Sequence, residues 1–160
     1  PAGSVNASVQ VLLSNGDGTL KAAVAYALPA VGYALVSGDF DGDGKTDLAA
    51  ANGGNISVLY NKGNGTFANG PVTAIPSLAT SAVLRAADVD GNGTLDLVIL
   101  NVAANRAEIW LNNCLGGFVS ANKTFAVTGG ADLWLGDFNA DTKLDLIHGS
   151  TNGVRIINRQ

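Results

Sequence analysis

Short apolar runs separated by glycine and asparagine recur along the whole chain, and none of them keeps a sustained helical period. The runs are rich in β-branched and aromatic residues, as strands are. In one stretch they predict three strands at 83–88, 95–101 and 107–113 and a fourth within 116–127. Strands of this length with a turn about every 8 to 12 residues indicate an all-β chain.

The same order of runs occurs in an earlier unit, at 33–39, 47–52, 56–61 and 65–74. By composition the run DLAAAN at 47–52 is compatible with a helix. Two glycines follow it at once, however, and its counterpart DLVILN in the later unit favours a strand. The chain opens on runs at 8–13 and 19–26 that match a third and a fourth strand, and it ends on a third-type run at 153–158.

These units predict a partial blade at 8–29 and repeats at about 31–78, 80–128 and 130–158, all in one domain. Four short strands per 40 to 50 residues or so are typical of a β-propeller blade. Thirteen predicted strands make about three and a quarter four-stranded blades, whereas closed propellers typically use about 4–8. The sequence therefore predicts an incomplete propeller arc.

Composition excludes several classes of protein. An apolar share of 47% with 14% charged residues is not that of a disordered chain. The apolar runs are too short to span a bilayer, and no basic tract suggests nucleic acid. Because the chain starts at Pro1 and contains no Met, we expect it to be processed or excised from a longer protein. The single Cys114 has no partner for an internal disulfide.

The acidic residues are concentrated in three loops that recur with a spacing of 49 residues. The loops read GDFDGDGKTDL at 38–48, ADVDGNGTLDL at 87–97 and GDFNADTKLDL at 136–146. Ten of the 13 acidic residues lie in them, and only Asp17, Glu108 and Asp132 lie outside. The formal charge of −4 is thus a property of three local sites.

Within each loop, positions 1, 3, 5 and 9 carry Asp or Asn, while the backbone carbonyl of position 7 offers a further oxygen. The candidate metal ligands are Asp39, Asp41, Asp43, Lys45 and Asp47 in loop 1; Asp88, Asp90, Asn92, Thr94 and Asp96 in loop 2; and Asp137, Asn139, Asp141, Lys143 and Asp145 in loop 3.

Oxygen ligands at alternate positions, with no His or Cys among them, suit a hard cation, and Ca²⁺ best tolerates such a flexible loop. The spacing begins like an EF-hand loop, but the Glu expected at position 12 is absent, and strands flank the loop. Loop 3 has Ala140 and Thr142 where the other loops have glycine. Its site is therefore expected either to bind more weakly or to fold without metal.

The segment GDFDGDGKTDLAAAN, followed by ISVLYNKGNGTF, resembles the FG-GAP/VCBS-type repeat, the calcium-loop blade of integrin α-subunit-like propellers and of many secreted microbial proteins. The resemblance covers nearly the whole chain. It implies a β-propeller, Ca²⁺ in each intact loop and an extracellular location. It does not fix a ligand, because propellers of this kind serve as adhesion modules, as lectins and as parts of enzymes.

The strand before each loop has one uniform and one diversified face. Leu35, Leu84 and Leu133 share a phase, and we expect them to pack blade on blade. The opposite face carries Val36, Arg85 and Trp134 at one position and Ala34, Val83 and Asp132 at another. Arg85, Asp132 and Trp134 are therefore possible ligand contacts. The alternative is that packing is simply asymmetric on that face.

The sequence as a whole indicates a calcium-stabilised extracellular binding or structural module of the adhesion type, and not an enzyme. One alternative is a carbohydrate-binding lectin propeller. Another is a non-catalytic segment of a secreted carbohydrate-active enzyme. The expected partners are other copies of the chain or further blades of a parent chain, with a protein or glycan ligand also possible, and neither nucleic acid nor a membrane span is expected.

Overall fold

The computed structural model describes residues 7–78, 82–127, 129, 132–150 and 153–157. Those residues form thirteen β-strands and no helix, which confirms the all-β prediction. The predicted repeat limits at 80, 128, 130 and 158 lie outside the described residues. No helix in the described part of the chain has the length and hydropathy needed to cross a membrane.

The strands form four antiparallel sheets, which we call blades 0 to 3. Blade 0 consists of β1 (Ser8–Val11) and β2 (Val24–Ala27). Blade 1 consists of β3 (Gly32–Gly38), β4 (Asp47–Asn52), β5 (Asn55–Asn61) and β6 (Phe67–Ala74). Blade 2 consists of β7 (Ala82–Ala87), β8 (Asp96–Asn101), β9 (Arg106–Asn112) and β10 (Phe118–Ala126). Blade 3 consists of β11 (Asp132–Gly136), β12 (Asp145–Ser150) and β13 (Gly153–Ile157).

Each blade is a meander in which consecutive strands pair, and the blades meet through their first strands. Strand β7 lies between β3 on one side and β11 on the other. First strands that neighbour one another around a common axis are the arrangement of a propeller. The described residues form an arc of such blades, as the sequence predicts. The run DLAAAN is strand β4, so the strand interpretation of that segment is confirmed.

Two apolar cores fill the spaces between blades, because alternate residues of a strand point to opposite faces of its sheet. The first core joins blades 1 and 2, with Ala49 and Val58 on one side and Leu84 and Ile99 on the other. The second joins blades 2 and 3 and includes the following residues: Val98, Leu100, Ile109, Leu133 and Leu146. Burying each large aliphatic side chain stabilises the fold by about 1.5–3 kcal/mol, so the interfaces between blades are the main source of stability.

The strand face predicted to be uniform is buried in blades 2 and 3 but exposed in blade 1. Leu84 and Leu133 are 2% and 0% exposed, so they pack between blades as expected. Leu35, at the same position in blade 1, is 51% exposed. Blade 0 has only two strands among the described residues, and they correspond to the third and fourth strands of a blade. The inner strands that would cover Leu35 are therefore absent from the described arc.

Candidate metal centres in the acidic loops

All three acidic loops connect the first strand of a blade to the second, so the meander places them at the same end of the arc. In loop 1 the carboxylate of Asp39 organises the turn. The backbone N–H of Gly42 donates to Asp39 Oδ1 at 2.8 Å, and that of Gly44 donates to Asp39 Oδ2 at 2.8 Å. Both glycines have positive φ, 78° and 81°, which a glycine adopts without strain.

The turns that follow bring the other carboxylates of loop 1 toward the same point. The N–H of Asp43 donates to Asp41 Oδ1 at 3.1 Å, and the N–H of Lys45 donates to Asp43 Oδ1 at 2.9 Å. As a result, carboxylate oxygens of Asp39, Asp41 and Asp43 lie within 4.8 Å of one another. Three anionic oxygens at such separations repel each other unless a cation lies among them.

Loop 2 repeats this geometry. The N–H groups of Gly91 and Gly93 donate to the two oxygens of Asp88 at 2.7 and 2.9 Å. Here the close group consists of Asp88, Asp90 and Asp96, again within 4.8 Å. Asn92 Oδ1 accepts from the N–H of Thr94 at 2.8 Å. In loop 2, therefore, the buried Asp at position 9 is itself one of the three close carboxylates.

Loop 3 follows the same backbone path with different residues. The N–H of Thr142 donates to Asp137 Oδ2 at 2.8 Å, and the N–H of Lys143 donates to Asp141 Oδ1 at 2.9 Å. Hydrogen bonds to backbone N–H groups lower the pKa of Asp137 even though desolvation acts in the opposite direction. Asn139 takes the place of one carboxylate, and the close groups found in the described residues lie in loops 1 and 2.

The Asp at position 9 has a second role that the sequence analysis did not find. Asp47, Asp96 and Asp145 are all fully buried. Asp47 Oδ2 accepts from the N–H of Phe40 at 3.0 Å, and its Oδ1 accepts from the N–H of Asn61 at 2.8 Å. One carboxylate therefore ties the start of the loop to the end of the third strand of the blade.

Asp96 makes the equivalent bonds to the N–H groups of Val89 at 2.9 Å and Asn112 at 2.8 Å. In the third blade the N–H of Phe138 donates to Asp145 at 3.0 Å. Burial raises the pKa of both Asp47 and Asp96, because the ionised form loses its hydration. A cation bound beside these carboxylates would offset that cost. The sequence did contain a hint of this role, since the same Asp-Leu pair begins the strand after each of the three loops.

The side chains at position 7 differ between the loops. Lys45 Nζ forms an ion pair with Asp43, and its hydrogen bond is the main cause of the lowered pKa of that carboxyl. Thr94 Oγ1 instead donates to Asn92 Oδ1 at 2.6 Å. Both side chains are therefore engaged within their own loops, and their backbone carbonyls remain the atoms predicted to face a cation.

The donor chemistry of loops 1 and 2 fits Ca²⁺. Carboxylate, amide and carbonyl oxygens are the ligands of hard cations, and neither loop contains a nitrogen or sulfur ligand. Ca²⁺ takes about six to eight oxygen ligands in a flexible geometry, and water can supply those that a loop does not.

The possible ligand face lies where blades 2 and 3 meet. Arg85 forms an ion pair with Asp132, and its second nitrogen donates to the carbonyl of Leu84 at 2.9 Å. The N–H of Leu133 also donates to Asp132, at 2.8 Å. Trp134, two residues along β11, is 50% exposed. The structure thus brings Arg85 and Asp132 together between two blades and leaves Trp134 open to solvent.

A buried polar cluster around Glu108 has no counterpart in the sequence analysis. The Glu108 carboxylate accepts from Ser77 Oγ at 2.9 Å, from Arg106 Nε at 2.8 Å and from Trp110 Nε1 at 3.3 Å. Desolvation raises the pKa of Glu108, but these donors outweigh it, and the pKa is lowered overall. Because Ser77 lies between β6 and β7, Glu108 holds the connection from blade 1 to blade 2.

The sheets and loops together define a propeller-type repeat protein with acidic loops. A profile of the FG-GAP-like repeat matches residues 2–48 and 39–99, more than half of the chain. The chain therefore belongs to the FG-GAP-like repeat family, which confirms the resemblance seen in its sequence. A comparison with curated proteins finds no match.

Among solved structures, the chain is similar to part of a Photorhabdus luminescens Tc holotoxin pore. The TM-score is 0.53 at 19% sequence identity, and the match covers 94% of this chain. A likeness at this identity shows the fold alone. The chain spans 8% of the length of the chain it matches.

Proposed function

We propose that this chain is a calcium-stabilised, non-catalytic propeller module that serves as an extracellular binding or structural unit of the adhesion type. The observation that carries the proposal is the convergence of three carboxylates in each of loops 1 and 2. In both blades a buried Asp ties the same loop to the sheet. Binding of a cation would thereby be transmitted to the packing of the whole blade.

The absence of a catalytic role is supported by how the remaining acidic groups are used. Glu108 is taken up by Ser77, Arg106 and Trp110, and Asp132 by Arg85. Asp17 likewise accepts from Thr19 in an exposed turn. Each of the three carboxylates outside the loops therefore has a structural partner.

Thermal unfolding with and without Ca²⁺ tests the metal proposal. At 10 mM Ca²⁺ and a Kd of about 10⁻⁴–10⁻³ M, each site should stabilise the fold by about 1.4–2.7 kcal/mol. For a chain of this size that raises the Tm by roughly 3–10 °C per site. The chelated protein at equal ionic strength, with NaCl in place of CaCl₂, is the control. An equal Tm in both buffers would remove the calcium assignment.

The open face of blade 1 supports a second element of the proposal, which is that further blades of the same repeat complete the arc. Leu35 is half exposed at a position where Leu84 and Leu133 are buried between blades. The covering blade would come from a longer parent chain or from a second copy. Sedimentation velocity of calcium-loaded protein at micromolar concentration distinguishes these sources, because only a second copy gives a mass that rises with concentration.

A matched pair of variants sharpens that test. Leu35→Ser should reduce any association and leave the unfolding free energy nearly unchanged. Leu84→Ser, at the equivalent buried position, should destabilise the fold by about 2–5 kcal/mol, as large-to-small core changes do. Equal losses of stability in the two variants would contradict an open face at Leu35.

Exposure of Trp134 favours a glycan or protein ligand as a second candidate function, since large exposed aromatics are frequent contact residues. Trp134→Ala should then weaken binding on a glycan array or to a partner while the Tm stays within a few degrees. A stability loss of about 3–5 kcal/mol, the cost of truncating a core Trp, would instead make Trp134 a packing residue.

A further inference from the structure

The last blade of the arc leaves an apolar patch open on its far side. Trp134 and Phe138 are 50% and 49% exposed. Ile147 is the register partner of Trp134 on β12 and is half-buried. Because register partners lie on the same face of a sheet, Trp134 and Ile147 belong to one surface. We call Trp134, Phe138 and Ile147 the back face of blade 3.

In blades 1 and 2 the equivalent positions are buried against the blade that follows. The loop residues Phe40 and Val89 correspond to Phe138 and are 1% and 9% exposed. Ala49 and Val98, the corresponding pair on the second strands, are 0% and 1% exposed. One residue of each pair belongs to the core between blades 1 and 2 and the other to the core between blades 2 and 3. The back face of blade 3 is therefore one half of an interface between blades.

The other half of such an interface is open at the opposite end of the arc. The front face of blade 1 consists of Leu35, which is 51% exposed, and Leu48, which is half-buried. Their equivalents in blade 2, Leu84 and Leu97, are 2% and 0% exposed because they pack against blade 1. The front face of blade 1 thus carries the leucines against which the back face of a preceding blade packs.

A polar contact of the interface is also incomplete at the front face. In blade 2, Asn112 Nδ2 donates to a carbonyl of its own blade at 3.1 Å and to Phe40 O of blade 1 at 2.9 Å. Its counterpart Asn61 donates to a carbonyl of its own blade at 2.9 Å and makes no second bond of this kind within the described ranges. The carbonyl of Phe138, the counterpart of Phe40, is the acceptor that a preceding blade would present to it.

Blade 0 already holds the outer half of the place in front of blade 1. The N–H of Phe67 donates to Tyr26 Oη at 3.1 Å, just as the N–H of Phe118 donates to Thr73 Oγ1 at 3.1 Å between blades 1 and 2. Strand β1 corresponds to a third strand, but among the described residues it pairs only with β2, whereas β5 and β9 pair on both edges. The free edge of β1 is where the second strand of a blade would lie.

We propose that β11 and β12 of one copy of the chain fill this place on a second copy, so that the copies join head to tail. Strand β12 then pairs with the free edge of β1, and the back face of blade 3 packs on the front face of blade 1. Within one chain β13 pairs with that edge of β12, so β1 of the second copy replaces it. The exchange turns a three-stranded sheet into a four-stranded blade and buries Trp134 and Leu35. This inference rests on the proposed propeller module and names the partner of its open ends.

A buried carboxylate supports the exchange. Asp145 is 0% exposed, and its Oδ1 has no hydrogen-bond partner within the part of the chain that is described. The corresponding oxygens of Asp47 and Asp96 each accept at 2.8 Å from the last N–H of the third strand. Ser14 is the counterpart of that donor residue in blade 0, so the second copy brings an N–H to this position.

Sedimentation velocity of the full calcium-loaded chain at micromolar concentration tests the joint with two blocked variants. Leu35→Arg blocks the front face and Trp134→Arg the back face, and because both positions are half exposed, each variant should fold. Each alone should associate at least about tenfold more weakly than the wild type, as loss of a central contact residue does. An equimolar mixture should form a dimer, since each variant keeps one intact end. Val119→Arg, at a 53% exposed position of blade 2, is the control and should associate like the wild type.

The mixture distinguishes this joint from other modes of association. A wild-type chain that stays monomeric, or a mixture that associates no better than either variant alone, would overturn the inference. Wild-type association of either blocked variant by itself would exclude a head-to-tail contact. None of these results alters the difference in Tm between calcium and chelator, so failure of the joint is distinguishable from failure of the calcium-stabilised module.

A disulfide between copies tests the strand pairing directly. Val11 of β1 and Ile147 of β12 occupy positions that are register partners between the third and second strands of blade 1. In a Cys114→Ser background, Val11→Cys mixed with Ile147→Cys should give a covalent dimer on mild oxidation, because opposite Cα atoms of paired strands lie about 4.5–5.5 Å apart. Val119→Cys replaces Val11→Cys in the control mixture. Cross-linking no faster than in that control would show that β1 does not lie beside β12.

Discussion

Loops 1 and 3 trace the same backbone path with different residues at the two positions where the path is most demanding. Gly42 and Gly44 have φ of 78° and 81°, and Ala140 and Thr142 have φ of 62° and 69°. In both loops the Asp at position 1 accepts backbone N–H groups from the turn. Carboxylate hydrogen bonds and the flanking strands therefore define the loop, and glycine only lowers the cost of forming it.

That cost is considerable in loop 3. A left-handed conformation costs an L-residue about 1–2 kcal/mol, and a β-branched residue such as Thr142 is worse placed than Ala140. Loop 3 also has Asn139 where loop 1 has Asp41, so it offers a cation one charge fewer. Loop 1 combines low strain with a dense carboxylate group, and loop 3 has neither advantage.

The largest expected effect comes from removing the buried carboxylate at position 9. Asp47→Ala leaves the N–H groups of Phe40 and Asn61 without their acceptor in a buried site, at a cost of about 1–3 kcal/mol each. Urea denaturation in chelator should show a loss of about 2–6 kcal/mol.

Two variants place this loss in context. Asp145→Ala should cost less, because the described structure gives Asp145 one such donor, that of Phe138. Asp17→Ala, in an exposed turn, should cost far less, because water replaces the hydrogen bonds that Thr19 loses. A loss for Asp47→Ala no larger than that for Asp17→Ala would mean that the buried carboxylate anchors nothing.

A smaller effect is expected on calcium stabilisation when the Asp at position 1 is removed. Asp39→Ala and Asp88→Ala should each abolish one site and reduce the Ca²⁺-induced gain by about 1.4–2.7 kcal/mol. Asp137→Ala should reduce it by less, because loop 3 has Ala140 and Thr142 at positive φ where loops 1 and 2 have glycine. The measurement is the difference in Tm between calcium and chelator for each variant. Equal reductions in all three would show that loop 3 binds as well as the others.

The smallest effect is relief of strain in loop 3. Thr142→Gly and Ala140→Gly should each stabilise the metal-free protein by about 0.5–1 kcal/mol, the strain relieved less the added freedom of the unfolded chain. The reverse change in loop 1, Gly44→Thr, should destabilise by about 0.5–1 kcal/mol by the same balance. Space is not the issue there, since a Cβ at Gly44 would meet nothing within 4 Å. No gain for either glycine variant would indicate that loop 3 relaxes by another route.

Local pattern predicted the strands and the loops well, because both depend on residues close in sequence. Alternating apolar runs gave the strands, and the 49-residue spacing gave their grouping into blades. The sequence did not predict the positive φ of Ala140 and Thr142, because neither alanine nor threonine favours that conformation. It follows from the flanking strands, which are set by packing between blades.

Contacts that involve two blades could not be predicted from the sequence of a single strand. The sequence placed Arg85 and Asp132 on diversified positions, but their pairing requires the offset between β7 and β11. The exposure of Leu35 likewise depends on whether another blade packs against it. Glu108 and Ser77, 31 residues apart, meet only because the connection between blades folds back over β9.

The Arg85–Asp132 pair also gives the repeats a fixed order. Asp132 corresponds to Val83 in blade 2 and to Ala34 in blade 1, so only the third blade offers Arg85 a carboxylate. A tandem duplication of blade 2 would set the Arg of the first copy against a valine, so that its guanidinium would lose the ion pair and keep its hydrogen bond to the carbonyl of the preceding Leu. The pair therefore favours the order in which blade 3 follows blade 2.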